Sequence, residues 1–360
     1  GEVVRTWDDE HVKASLDLCL SCKACKSECP TNVDIATYRS EFLSHYYETH
    51  RRPLHAYAFG MVDKWLNIAS VAPGLANLGA QAPGLNALAK KALGIARERT
   101  LPRLAPVSFR KWASSRNVPT SGGDVILWVD TFNNSFHPQT TQAAFDVLLD
   151  AGCRVFVPQD RLCCGRPLYD FGFVDQAVDY LRRILSALAD PIDRGIPVVV
   201  LEPSCASVFR DELRSLLPDD PQAGKLRAQT FLLSEFLERK VPGFAPPRLE
   251  RRVILHGHCH HKAILKMGDE ESLLKRMGAD LQSLDSGCCG MAGPFGMDAD
   301  KYDVSMAIGE RVLLPAVRQA DADTIIVSDG FSCREQIAQA TGRHALHLAD
   351  VLQLGLRSRT

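Results

Sequence analysis

From residue 124 onward the apolar and polar runs of the chain repeat. VILWVD (125–130) is a continuous apolar strand, and VILHGH (253–258) matches it at an offset of 128 residues. Each is followed by a helical stretch (138–151 and 269–278) and a short strand (154–158 and 280–284). Each copy then carries a Cys-Cys-Gly turn and a long helix (173–189 and 299–319). A further apolar strand (197–201 and 324–328) leads into a Ser-Cys pair. Such strand–helix–strand alternation predicts two parallel sheets covered by helices. Residues that follow the strands fall at the carboxy edge of a sheet, where ligands bind.

Ahead of the repeats the pattern is helical. Residues 8–18 and 33–48 read as amphipathic helices, the first capped by Asp8 or Asp9 and the second by Thr31-Asn32. No charge occurs from Trp65 to Ala89. The polar Asn67, Asn77, Gln81 and Asn86, and the breaks at Pro73-Gly74 and Pro83-Gly84, argue against a membrane span. Two short helices starting at those prolines, packed in the core or between domains, are expected, with contact to a membrane surface or a partner as the alternative. Residues 97–123 are basic and rich in Pro, Ser and Gly, a linker composition. The expected organisation is a helical cluster-binding domain (1–50), a helical connector and linker (51–123), and two α/β repeats (124–245 and 246–360).

At 360 residues the chain can bury a large core, and its net charge of −1 gives no reason to expect nucleic acid. Twelve cysteines are too few for a disulfide scaffold of this length and occur in clusters and adjacent pairs. That usage points to metal or redox chemistry in a reducing compartment. No basic stretch followed by an apolar core opens the sequence, so a cytoplasmic protein is expected, with a peripheral position at the membrane left open. A homo-oligomer is expected as well.

The densest chemistry is Cys19-x2-Cys22-x2-Cys25-x3-Cys29-Pro30, the ferredoxin-type run that holds a 4Fe–4S cluster. Three thiolates at this spacing can wrap one corner of a cubane. A zinc knuckle or a set of buried thiols are the alternatives, but zinc usually takes paired C-x2-C units at a distance. In two-cluster ferredoxins the Cys before Pro serves the other cluster, so the first three cysteines call for a remote Cys-Pro. Cys29-Pro30 is the only Cys-Pro in the sequence. A partner half-motif is therefore expected upstream or on another chain.

The second repeat offers Cys259, Cys288, Cys289 and Cys333, with His256, His258, His260 and His261 beside the first. Four thiolates with imidazole suit zinc, iron or an iron–sulfur cluster, and His258 or His260 is the expected additional ligand. A core thiol cluster or a vicinal disulfide is the alternative. The first repeat keeps Cys163, Cys164 and Cys205 but places Thr131 where the offset puts the counterpart of Cys259. A lost or altered site there is as plausible as a working one.

These residues resemble the cysteine-rich CCG domain family, found in heterodisulfide reductase subunits and in iron–sulfur subunits of glycolate oxidase and anaerobic glycerol-3-phosphate dehydrogenase. CLSCKACKSECPTNVD (19–34), DTFNNSFHP (130–138), LCCGRPLYDFG (162–172), HGHCHHKA (256–263), SGCCGMAGPFG (286–296) and DGFSCREQI (329–337) carry a closer likeness. They look like the carboxy-terminal half of bacterial fused FAD/iron–sulfur oxidoreductases, a family that includes D-2-hydroxyglutarate dehydrogenases. The resemblance implies an FAD domain upstream and a D-2-hydroxyacid, D-2-hydroxyglutarate first, as its substrate. It also implies electrons leaving through a 4Fe–4S cluster towards a quinone or a soluble carrier. Alternatives are a separate iron–sulfur subunit of a quinone- or disulfide-reducing complex, and a zinc-stabilised scaffold. Disulfide-reducing sites of the family end in C-x2-C, whereas Glu202 and Gly330 stand at the first of those positions here.

Overall fold

The computed structural model describes residues 6–116 and 121–358. Two all-parallel sheets form its frame. The first has the order β2-β1-β3-β4, with β1 Gly123–Trp128, β2 Cys153–Phe156, β3 Val198–Val200 and β4 Thr230–Leu232. The second has the order β6-β5-β7, with β5 Arg252–Leu255, β6 Asp280–Ser283 and β7 Ile325–Val327. A single parallel bridge from Val327 to Leu346 lies where β4 lies in the first sheet. The inner stretches of β1, β3, β5 and β7 are apolar on both faces because helices cover both.

Strand alternation assigns each face to its own core. Val125, Leu127 and Val199 of the first sheet share one core with Val253, Leu255 and Val327 of the second. Helices Pro138–Asp150 and Leu233–Lys240 of the first copy and Gly268–Arg276 and Leu348–Arg357 of the second bury residues in the same core. The copies also cross-link there: the Thr140 hydroxyl donates to Asp350 at 3.0 Å, and Arg276 pairs with Glu238 at 2.6 Å. On the opposite faces, Ile126, Trp128, Val198 and Val200 pack beneath helix Val174–Ala187, while Ile254 and Ile326 pack with Cys289 and Cys333. The thiols of the second copy thus lie on its outer face.

The structure departs from the expected elements in five places, the first being the helix expected over 33–48, which spans Ile35–Thr49 and is capped by Asp34 rather than by Thr31-Asn32. Strand β4 is only three residues long, too short to carry a periodic signal. The stretch 299–319 is not one helix but a 3-10 turn and helices Tyr302–Gly309 and Leu313–Gln319. Pro315, in the first turn of the last of these, has no N–H to give the carbonyl of Arg311 and its ring crowds that carbonyl, so a helix cannot run through and restarts at Leu313. The basic stretch from residue 97 is not a free linker, because Arg99 is buried against the second copy. Its guanidinium donates to the carbonyl of Gly296 (2.6 Å), Oε1 of Gln336 (2.7 Å) and the Ser305 hydroxyl (2.8 Å).

The uncharged stretch forms helices Val62–Ala69, Pro73–Gln81 and Pro83–Ala92, each of the last two with its proline at the first turn. Its expected packing into a core is confined to Leu66, while Ile68, Val71, Leu75, Leu78, Leu85 and Leu88 are exposed. Contiguous apolar surface of this kind is what a partner or a membrane surface covers. Among the described residues no helix is long and apolar enough to cross a membrane.

Candidate metal centre

The cysteine loop precedes and enters the short helix Ala24–Glu28, and Ser21 and Lys23 take left-handed backbone conformations (φ +50° and +59°) to turn it. Burial pushes the Cys19 thiol up, and Cys22 and Cys25 lie close enough to add to that shift, while Arg39 opposes it. Cys22 feels Cys25 in the same way, and also Cys259 of the second copy. Cys29 is half-buried, its sulfur 3.2 Å from the Thr31 hydroxyl. Hydrogen bonds from Thr31 and the backbone at Val33 hold its thiol below the usual range. A cavity of about 420 Å³ opens beside Cys19, lined by Ser21, Arg39 and His55 among others. Three thiols around one loop, with room beside Cys19, fit a cluster larger than a single ion.

Two contacts fix this loop to both copies. Lys23, only 1% exposed, pairs with Asp34 (3.0 Å), Asp211 (2.6 Å) and Glu212 (2.9 Å), and Glu212 pairs onward with Arg166 (2.5 Å). Arg166 directly follows the Cys-Cys-Gly turn of the first copy. On the other side, Nε2 of His260 bonds the carbonyl of Ser21 at 2.8 Å. The loop is therefore seated at the junction of the repeats, against the thiols of the second.

In the second copy the sulfurs form a row: Cys259 contacts Cys288, Cys288 contacts Cys289, and Cys289 contacts Cys333. Gly290 makes this possible. Its φ is +91°, and a Cβ there would collide with the carbonyl oxygen of Ser305. The imidazole beside Cys289 and Cys333 belongs to His256, with its ligand nitrogen and both sulfurs within 4.8 Å of one another. Nδ1 of His256 bonds Ser286 Oγ at 2.6 Å, and the buried Nε2 has no hydrogen-bond partner. Strand alternation could have found this ligand, since His256 follows Ile254 on the face that carries Cys289 and Cys333. His258 instead lies 3.9 Å from the Cys259 sulfur, and His260 is committed to Ser21.

Contact with Cys288 and burial push the Cys259 thiol well above its usual range. The Cys289 thiol is raised too: contact with Cys288 pulls it down, but contact with Cys333 and burial outweigh that. Protonated thiols in contact, next to an orphaned imidazole nitrogen, are a donor set that a soft cation would deprotonate and satisfy. Zinc and iron both fit its chemistry.

The first copy repeats the row in the same order with one substitution. The Thr131 hydroxyl contacts Cys163, Cys163 contacts Cys164, and the Cys205 sulfur lies 3.0 Å from that of Cys164. Contact with Cys164 pulls the Cys205 thiol down, but burial outweighs it and leaves it at about 11. The adjoining cavity of about 20 Å³ has room for one water. Three sulfurs and a hydroxyl make a weaker ligand set than that of the second copy.

The positions that would complete C-x2-C are both in use. The Glu202 carboxylate reaches across the copies and accepts the backbone N–H of Phe331 at 2.8 Å, capping the helix that carries Cys333. Gly330 faces the ring of His258: a Cβ there would overlap Cδ2 and lie 3.0 Å from Cγ, with Cys333 Sγ at 3.3 Å. We expect Gly330→Ala to destabilise the protein by ~1–3 kcal/mol through overpacking and to shift His258. An unchanged urea midpoint would show that His258 is free to move.

Comparison with known proteins agrees with this architecture. The cysteine-rich CCG domain matches residues 130–210 and 255–338. D-2-hydroxyglutarate dehydrogenase of Pseudomonas putida is 27% identical over 346 residues, which cover 93% of this chain and 33% of that protein. One of the subunits of the anaerobic glycerol-3-phosphate dehydrogenase of Escherichia coli is 29% identical over 320 residues, 86% of this chain and 79% of the relative. Lactate utilization protein A of Bacillus velezensis is 28% identical over 243 residues, 63% of this chain and 98% of the relative. The chain thus spans about a third of the length of the D-2-hydroxyglutarate dehydrogenase it matches. Each matched segment holds one Cys-Cys-Gly turn and one Ser-Cys pair at the edge of a parallel sheet. This chain is a protein with two cysteine-rich CCG domains.

Proposed function

We propose that the chain is the electron-transfer part of an FAD-linked dehydrogenase acting on a D-2-hydroxyacid, with D-2-hydroxyglutarate as the preferred substrate. The observation that carries this reading is the docking of the cysteine loop at the junction of the CCG domains, with Ser21 bonded to His260 and Cys22 within electrostatic reach of Cys259. The D-2-hydroxyglutarate dehydrogenase of Pseudomonas putida supplies the substrate class. Cys19, Cys22 and Cys25 would hold a 4Fe–4S cluster, and Cys29 would serve a neighbouring site. Such a cluster takes up and gives off single electrons at a potential set by burial and by hydrogen bonds to its sulfurs.

The chain's own residues set those conditions. Backbone N–H of Ser21 is directed at the Cys19 sulfur at 3.4 Å, and Arg39 places positive charge near the same thiol. Lys23 and its carboxylates fix the loop's position, which distance-dependent electron transfer requires. The thiol row with His256 would hold iron or zinc beside the cluster. Flavin and hydroxyacid binding belong to an FAD domain or a separate flavoprotein, and a quinone or soluble carrier would take the electrons. A disulfide-reducing role is disfavoured because the His258 ring fills the space of the missing ligand at Gly330.

The test is freeze-quench EPR of the anaerobic protein with its flavin partner after mixing with D-2-hydroxyglutarate. Flavin bleaching should be followed by the signal of a reduced 4Fe–4S cluster. A bleached flavin with a cluster that never becomes reduced would refute the assignment.

A further inference from the structure

We propose that His261, Glu270 and Asp329 form a second metal site, distinct from the thiol row, that binds a divalent first-row cation, zinc foremost. His261 opens the π-helical turn His261–Leu265, Glu270 lies in the first turn of helix Gly268–Arg276, and Asp329 follows β7. One ligand atom from each lies within 4.8 Å of the other two. His261 and Glu270 are each 1% exposed and Asp329 is 4% exposed, so water does not solvate them.

Two independent observations point to a cation. Neither ring nitrogen of His261 nor either carboxylate oxygen of Glu270 has a hydrogen-bond partner. Nδ1 and Oε2 approach to 3.1 Å, but the ring and the carboxylate are not oriented as a hydrogen-bonded pair. Buried polar atoms are almost always partnered, so four orphans in one cluster need an explanation. Secondly, two carboxylates share the cluster, and no lysine or arginine among the described residues pairs with either; their charged-group contacts are His261 and His347. Like charges in a dry site repel unless a proton or a cation intervenes. A proton between Oε2 of Glu270 and Nδ1 of His261 would relieve that pair alone and leave the Asp329 carboxylate without a cation. A cation satisfies all three groups at once.

The surroundings are arranged as metal sites are. Oδ1 of Asp329 accepts the backbone N–H of Leu348 at 2.9 Å, which orients the carboxylate from outside, while Nε2 of His347, 3.3 Å away, bonds the carbonyl of Leu201 at 3.0 Å. One imidazole and two carboxylates, with bonds of ~2.0–2.2 Å, suit zinc and are also open to manganese and ferrous iron. The donors contain no sulfur, which separates this site chemically from the thiol row. By the repeat offset, Asn133 and Leu201 stand where His261 and Asp329 do, so the first copy lacks the site. Asn133 there accepts from Arg334 at 2.7 Å instead. His261 is two residues after Cys259, and Asp329 is four before Cys333. A cation here would tie together the two segments that carry the outer sulfurs of the row.

The site is tested on the whole chain, stripped by chelation and titrated with Co2+. The expected result is one equivalent of cobalt whose ligand-field absorption lacks any thiolate-to-metal charge-transfer band, retained in a Cys259→Ser/Cys289→Ser variant. Failure of that variant to bind cobalt while still folded would overturn the proposal. If the variant does not fold, the wild-type chain decides, because a thiolate-free cobalt species must still appear in it. Glu270→Gln gives an answer of opposite sign for the two readings. With a metal site it should lose one equivalent of zinc and melt several degrees lower. With merely a buried carboxylate, the neutral amide should leave metal content unchanged and the melting temperature equal or higher. None of these readouts uses electron transfer, so the site can fail while the proposed function stands, and the reverse.

Discussion

Serine at Cys22 is expected to strip the protein of its 4Fe–4S absorbance and to slow electron delivery from the flavin to an external acceptor by at least ~100-fold, because even outer-shell changes cost 10–100-fold in metal affinity or activity and this one removes a ligand. Cys22 is the informative choice because its thiol is within electrostatic reach of Cys259 in the second CCG domain. Bleaching of the flavin by substrate should persist, since no residue of this loop is assigned to flavin chemistry. Cys29→Ser provides the contrast. That sulfur is engaged with Thr31 and is not assigned to this cluster, so the signal of Cys19, Cys22 and Cys25 should survive the change. A Cys22→Ser protein that stays brown and fully active, or a Cys29→Ser protein that loses this cluster, would reverse the ligand assignment.

The repeat was legible in the sequence because both copies spend their apolar residues alike: a buried strand, an amphipathic helix, and a Cys-Cys-Gly turn. Thr131 shows how far that reading reaches. The offset alone places it opposite Cys259, and in the structure its hydroxyl takes the first place in the row beside Cys163. What escaped was set by tertiary contact. Strand β4 spans three residues and exists because the edge of β3 needs a partner. Arg99 sits in a stretch of linker composition, yet its guanidinium finds three acceptors from three separate segments. The exposed row from Ile68 to Leu88 has the composition of a packed element, and composition does not say what packs on it. His261, Glu270 and Asp329 follow no spacing rule, because the segment between β5 and helix Gly268–Arg276 brings the first two together and β7 delivers the third.

Lys23→Met should destabilise the protein by ~3–5 kcal/mol at pH 7, the usual cost of removing one partner from a buried ion pair. The side chain keeps its length, so lost charge rather than lost packing is what the change reports. Asp34, Asp211 and Glu212 would then share a buried site with less compensation. Arg166 still pairs with Glu212 at 2.5 Å and Lys26 with Asp211 at 2.5 Å, which favours the lower end of the range. The pH dependence separates this account from a generic defect. Burial raises the Asp34 and Asp211 carboxyls, but Lys23 outweighs it and holds both below the usual carboxylate range. A carboxylate whose folded pKa is depressed contributes stability above its unfolded pKa, near 3.9, and loses it as pH falls through the folded value. Urea unfolding should therefore show a wild-type advantage that is constant from about pH 7 to 5 and shrinks below about pH 4. Protonated carboxyls would by then leave the buried Lys23 ammonium without its counter-charges. Equal stability of the two proteins at pH 7, or an advantage that persists undiminished at about pH 3, would mean that the ion pairs around Lys23 do not hold the cysteine loop against the CCG domains.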